Sequence, residues 1–199
     1  MIRDDIKIRL IDREDCEQVA RLHTTNIQIG VLSILGISFV KLIYQSMIGS
    51  NNAFCIVAED NNKIVGFVSG TTSLNKFYKE FIKNNFIKAP IVLLPKIINP
   101  KIMRKIFNIL LYPNRVHGLP EAEFMSIVID ERYRVKGLAR ILINELIKDF
   151  KKRGINKFKS VVSSSLVSVY KFYEIMGATF HSDIAVYKGE KWKAHIWEI

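Results

Sequence analysis

The stretch IDERYRVKGLARILINELI (129–147) decides how this chain is read. Before it runs EAEFMSIVID (121–130), an apolar segment short enough for a buried strand. Within and after it comes the longest helical period in the chain, about 136–152. Gly137 stands near the start of that helix, where backbone N–H groups have no intrahelical partner. Those donors, at the positive end of the helix dipole, suit a linked diphosphate. Glycine lets the backbone approach a ligand closely, and Ala139 keeps the next turn small. Arg132, Arg134, Lys136 and Arg140 add positive charge. The segment reads as an anion-binding strand–loop–helix, and it also fits the solvated start of a basic helix.

Working outward, DIKIRLI (5–11) alternates as a strand, and Asp12 reads as the N-cap of a helix over about 13–25. A second helix fits about 33–48. AFCIVAED and KIVGFVSGTT, joined by Asp60-Asn61-Asn62, form a β-hairpin pattern. Helical periodicity returns at about 75–88 and 100–111, broken by Pro90, Pro95 and Pro100. After the loop come a strand at KFKSVV (157–162), a helix over about 166–176 closed by Gly177, and a terminal hairpin turning at Gly189-Glu190. This order predicts an α/β (α+β) fold: a mixed, mostly antiparallel sheet flanked by helices, with one parallel crossover. The expectation is a single domain over 1–199 with a helical insertion at about 75–118.

Hydrophobic residues make up 49% of the 199, enough for a substantial core. Cys16 and Cys55 form neither a metal spacing nor a disulfide framework, which points to a reducing, cytoplasmic setting. The N-terminal residues show no secretory apolar region, and the apolar stretch 89–111 is interrupted by four basic residues and three prolines, so no transmembrane segment is expected. The histidines at 23, 117, 181 and 195 are dispersed, and no metal is expected. A G-x-S-x-G motif for serine catalysis is absent.

R-V-K-G-L-A (134–139) is similar to the Q/R-x-x-G-x-G/A pattern of the GNAT (GCN5-related N-acetyltransferase) superfamily. IDERYRVKGLARILI resembles the longer V-D-P-x-Y-R-x-x-G-x-G-x-x-L-L pattern, and FYEIMGATF (172–180) resembles the downstream F-Y-E-K-L-G-F. The resemblance covers nearly the whole chain and implies a GNAT-like acyl-CoA N-acyltransferase fold with acetyl-CoA as cosubstrate. It implies that the backbones of Ile127, Val128 and Ile129 bond the pantetheine arm. Amides from Arg134 through Val135, Lys136, Gly137, Leu138 and Ala139 to Arg140 would cradle the pyrophosphate. The strands at 121–130 and 157–162 would splay apart. The implied reaction is acetyl transfer to a primary amine of a small-molecule or peptide acceptor, by direct attack in a ternary complex. A monomer or a homodimer suits this, with no specific nucleic-acid partner.

An amine attacks a thioester only as the neutral base, and a departing thiolate is helped by a proton donor. Glu123 is the candidate base. By alternation it shares a side with Met125, Ile127 and Ile129, and a carboxylate on an apolar strand is costly without a partner or a task. In the histone-type branch of the family a glutamate lies fourteen residues before the motif glycine, the spacing from Glu123 to Gly137. A water-facing strand end, Glu121, or a water chain are the alternatives. Tyr173 matches the tyrosine that many members place near the coenzyme sulfur and is the candidate acid; a core aromatic is the alternative. Two departures stand out: Leu166 replaces an asparagine common seven residues before that tyrosine, and Val161 replaces a glutamate frequent twelve before it in members acting on ribosomal protein N-termini.

The net charge is +11, and residues 75–118 hold nine basic side chains against the single acid Glu80, a net +8. That insertion reads as a lid favouring an acidic substrate, as an interfacial element making peripheral contact with anionic lipid or another protein, as a face that binds nucleic acid through its phosphates, or as ordinary amphipathic helices. A non-catalytic acetyl-CoA-sensing module and a basic docking protein are the alternatives to an enzyme. With a substrate-facing lid, neutralising Lys76, Lys79 and Lys83 raises the acceptor KM and leaves acetyl-CoA binding unchanged. Steady-state kinetics at varied acceptor concentration check this.

Overall fold

The computed structural model describes residues 6–27, 30–97, 99–115, 118–134, 137–185 and 191–199. The chain begins with β1 (Lys7–Leu10) and α1 (Asp15–Asn26). Asp12 Oδ1 accepts the amides of Glu14 at 3.0 Å and Asp15 at 3.3 Å, so it satisfies donors at the helix start as expected of a cap. The helix expected over 33–48 is two: α2 (Val31–Leu35) and α3 (Ile37–Met47). They part at Gly36, whose φ of 89° no helix accommodates.

β2 (Ala53–Asp60) and β3 (Lys63–Thr71) form the expected hairpin. Asn61 and Asn62, at φ 49° and 62°, supply the two left-handed residues of a type I′ turn. The insertion holds three helices where two were expected: α4 (Leu74–Asn85), α5 (Lys88–Ile97) and α6 (Pro100–Arg115). The sequence pattern treats proline as a breaker. Here Pro90 lies in the first turn of α5 and Pro100 opens α6, positions whose amide has no helical acceptor in any case.

Then come β4 (Glu123–Ile129), a 3-10 turn (Glu131–Tyr133), α7 (Leu138–Lys152), β5 (Lys157–Ser163), α8 (Val167–Ile175), β6 (Thr179–Ile184) and β7 (Trp192–Glu198). β6 and β7 pair as the terminal hairpin; its expected turn at Gly189-Glu190 lies outside the described residues. The seven strands follow the order β1-β2-β3-β4-β5-β7-β6, all antiparallel except β4 against β5.

Both faces of the sheet are covered, so β2 and most of β3 are buried throughout. Alternation sorts them: Ala53, Cys55 and Val57 join a core with α1, α3 and α4, while Phe54, Ile56 and Ala58 join one with α7 and α8. On the second face α7 lies close to β3 because Gly70 presents no side chain. A Cβ there would stand 2.8 Å from both Phe54 Cζ and Phe150 Cζ and 3.0 Å from Leu146 Cδ1. All three neighbours are buried, so none can yield into solvent. Gly70→Val is expected to destabilise the fold by roughly 2 kcal/mol or more, read as a lowered urea midpoint at unchanged m-value.

Candidate active site

The site begins with an interruption in the sheet. β4 and β5 pair only at Glu123↔Lys159 and Phe124↔Ser160; beyond these the strands separate. On the other side of β4, Ser126 faces Ser69 while Phe124 faces Gly70, which leaves Met125 as an extra residue. A bulge of this kind bends its strand and increases its twist. It also resets the alternation. Phe124, Ile127 and Ile129 pack toward α7 and α8, whereas Met125 and Val128 pack toward α1 and α3. Glu123 therefore shares its face with Met125 and Val128. The period-2 expectation grouping it with Ile127 and Ile129 is corrected, because the bulge inserts half a period between them.

The bulge also sets which backbone groups face the gap. The Asp130 amide donates to Val65 O at 2.8 Å. The antiparallel alternation then turns Val128 toward Phe67 and turns the amides and carbonyls of Ile127 and Ile129 to the side β5 has vacated. The Ile129 carbonyl accepts Arg134 Nε at 3.1 Å.

At the far end of β4 the loop enters α7 through Gly137, at φ 84° and ψ −3°. Any side chain is strained in this left-handed conformation, which explains the glycine. No side chain caps the helix, so the amides of its first turn, from Leu138 to Arg140, have no intrahelical acceptor and face outward along the dipole. Val135 and Lys136 lie outside the described residues. The flanking arginines are already engaged. Arg132 grips Asp130 at 3.1 and 3.2 Å, holding that carboxyl down to about 2. Arg134 Nη2 donates to Asn26 Oδ1 on α1 at 2.7 Å. Arg140 is exposed. Tyr133 OH donates to Asp60 Oδ2 at 2.5 Å and ties the loop to the β2–β3 turn. Uncapped amides, a left-handed glycine and an open strand edge together fit a diphosphate carrying an extended arm.

Glu123 lies at the closed base of the gap, buried, with Oε2 3.3 Å from Lys159 Nζ. The ammonium also donates to Pro120 O at 2.6 Å, and Glu123 Oε2 has no other polar partner among the described residues. Burial raises the Glu123 carboxyl above its ordinary range and Lys159 opposes the shift. Tyr173 is buried, its ring centroid 5.0 Å from that of Phe124 and 5.6 Å from that of Trp197. Burial raises its phenol well above the ordinary value. These rings belong to a longer column: Phe54 on Phe150 at 5.1 Å, Phe150 on Phe158 at 4.4 Å, and Phe158 on Trp197 at 5.5 Å. The column crosses from one half of the sheet to the other beneath the gap.

Three features escaped the sequence. Lys159 becomes visible only once β4 and β5 are in register. His195 is fully buried beside α8, with Nε2 3.2 Å from Glu174 Oε1. On the α1–α3 face, His23 Nδ1 and Tyr44 OH lie 2.8 Å apart, stacked near Phe67, and the phenol also meets Ser69 and Ser126. Ser126 borders the bulge, so this polar group reaches from the core to the gap. A lone histidine and a tyrosine on two amphipathic helices give no sequence signal of such a pairing.

A family model described as the acetyltransferase (GNAT) family matches residues 33–178. Among solved structures, an acetyltransferase of the GNAT family from Streptococcus pneumoniae aligns at TM-score 0.61 and 16% identity over 98% of this chain and all 100% of that one. The PaiA N-acetyltransferase of Thermoplasma acidophilum, in complex with coenzyme A, aligns at 0.61 and 14%, covering 98% and 99%. An N-acetyltransferase from Staphylococcus aureus aligns at 0.62 and 16%, covering 96% and 100%. At these identities the likeness is one of fold. No curated protein matches the chain in sequence.

His23 makes the stability of this site depend on pH. Burial lowers its pKa from 6.5 to about 4, so the folded ring stays neutral where the unfolded one takes a proton. Stability is therefore lost as pH falls from 6.5 toward about 4, by ~3 kcal/mol from this group. Glu123, whose carboxyl is raised, contributes the opposite slope. Urea denaturation across this range should show a flatter profile in His23→Gln than in the wild type, and equal slopes would contradict the assignment.

Proposed function

The chain belongs to the GNAT acetyltransferase family, and we propose that it is an N-acetyltransferase carrying an acetyl group from acetyl-CoA to a primary amine by direct attack in a ternary complex. The observation that carries this reading is the opening between β4 and β5, placed next to the uncapped first turn of α7. Acetyl-CoA supplies the acyl group as a thioester, already activated toward an amine. The amides that follow Arg134, up to Arg140, with Gly137 at their centre, receive its pyrophosphate, while the Arg134 amide itself donates to Glu131 O at 3.2 Å. The gap-facing backbone of Ile127 and the Ile129 amide hold its pantetheine arm as an added strand, with Val128 between them paired to Phe67.

On the α1–α3 face, Glu123 takes the proton that the acceptor amine must lose. Its raised carboxyl suits it to this exchange, and Lys159 stabilises the anion between turnovers. On the α8 face, Tyr173 holds a proton on its phenol for the departing thiolate, since burial keeps that phenol un-ionised. The buried thiols Cys16 and Cys55 suit a reducing compartment, the cytoplasm, as the setting.

Gly137→Val forces a β-branched residue into the left-handed region, and acetyl-CoA affinity by calorimetry should fall at least tenfold, about 1.4 kcal/mol. Wild-type chain that gives no heat with acetyl-CoA contradicts the whole reading. Binding without thiol release across a panel of amines makes the chain a sensor instead. For the base, Glu123→Gln should lower kcat by roughly 10²-fold and abolish the acidic limb of the pH–rate profile, where protonation of the carboxylate stops catalysis. If Glu123→Gln changes only the denaturation midpoint, the carboxylate serves as the structural partner of Lys159. Tyr173→Phe should lower kcat with little change in acetyl-CoA affinity.

A further inference from the structure

Helices α4, α5 and α6 carry more apolar surface than the fold covers. Their inner faces pack on the α1–α3 core through Phe77 and Phe81, Val92 and Leu93, Ile102 and Ile106. Their outer faces are apolar too. Ile82 and Phe86 on and beside α4 are 53% and 69% exposed, Ile91 and Leu94 on α5 66% and 60%, and Met103 and Phe107 on α6 42% and 60%. In each helix the exposed pair is three or four residues apart, so it forms a stripe. Helices apolar on two faces are ordinarily buried on both. Scattered single exposed apolar residues need no explanation, but paired stripes on three mutually packed helices do.

The charge around these stripes selects the occupant. The segment carries a net +8, and its one acid, Glu80, is taken by Ser50 at 2.9 Å and Asn52 at 3.0 Å. Lys79, Lys83, Lys88, Lys101 and Arg104 are exposed, and none forms an ion pair among the described residues. A second copy of the chain would bring a like-charged face against this one, which is unfavourable. Single-stranded nucleic acid is held by stacking rings, and four of these six exposed residues are aliphatic or thioether. Exposed Ile, Leu, Phe and Met beside lysines, with no acid left uncompensated, match the composition of a helix lying in a membrane interface. No helix among the described residues is long and apolar enough to cross a membrane, so the mode is docking on the surface.

We infer that α4–α6 dock this protein on an anionic lipid surface, with the outer apolar stripes entering the boundary of the acyl chains and the lysines meeting headgroup phosphates. The inference stands apart from acetyl transfer, since these outer faces point away from the core that backs the gap.

The experiment is flotation of the full chain with vesicles of phosphatidylglycerol and phosphatidylethanolamine, against vesicles of phosphatidylcholine. Wild type should float with the anionic vesicles and not the neutral ones, and high salt should weaken that binding to the part the apolar stripes hold. Two variants separate the contributions. Lys79→Gln/Lys83→Gln/Lys88→Gln should weaken partition about tenfold or more. Ile91→Ser/Leu94→Ser should abolish the residual binding at high salt. Both alter exposed side chains, and circular dichroism with a urea midpoint verifies their fold. Wild type that stays with neither vesicle overturns the proposal, and so does equal partition onto both. A dimer that Ile91→Ser/Leu94→Ser dissociates, with no vesicle binding, assigns the face to a second copy and also overturns it.

Discussion

A β-sheet spends the backbone hydrogen bonds of each interior strand on both neighbours, and β4 spends only part of its own. Past Phe124 it has a partner on one side alone. The extra residue at Met125 bends it away from β5, and the groups of Ile127 and Ile129 that a continuous sheet would consume are left facing a gap. Buried backbone donors without acceptors are rare in native proteins, so such an edge marks either solvent or a ligand. The chain answers one of these demands itself, with the Arg134 guanidinium on the Ile129 carbonyl. Under the proposed function, the remaining groups hold the pantetheine arm.

Positive charge near the α7 start is less available than a count of arginines suggests. Arg132 and Arg134 are held by Asp130, the Ile129 carbonyl and Asn26, and they shape the loop more than they attract an anion. In the proposed complex the pyrophosphate is held by amides fixed in direction by the helix, with Gly137 setting the entry angle. Fixed dipoles need no reorganisation when a ligand arrives, whereas long side chains must be ordered first.

Fold class and loop were legible because their signals are local. Period-2 runs, an Asp-Asn-Asn turn and a glycine at the mouth of a helix each act within a few residues, and the structure contains a strand, a turn or a helix at each. The failures are of two kinds. Prolines 90 and 100 looked like interruptions because a pattern cannot distinguish a helix interior from a first turn. The face of Glu123 was misjudged because a bulge is a property of two paired strands, invisible in either one. Lys159 and the His23–Tyr44 contact were missed for the same reason: each joins residues far apart in the chain whose adjacency depends on register and helix packing. Glu123 itself was legible as a carboxylate in an apolar strand; its partner was not.

The aromatic column beneath the gap has an optical consequence. At the closed end, where β4 and β5 still pair, Phe124, Tyr173, Trp197 and Phe158 join the two halves of the sheet with ring contacts. Trp197 is one of two tryptophans, fully buried, with its indole N–H on Ser160. That indole packs on Phe124 of β4 and Phe158 of β5, so its emission depends on how the two strands sit, and the neighbouring phenol is near enough to pass it excitation energy. The molecule thus contains a native fluorophore at the seam between the two halves of its sheet, where widening or closure of the cleft would register as a change in emission without any label.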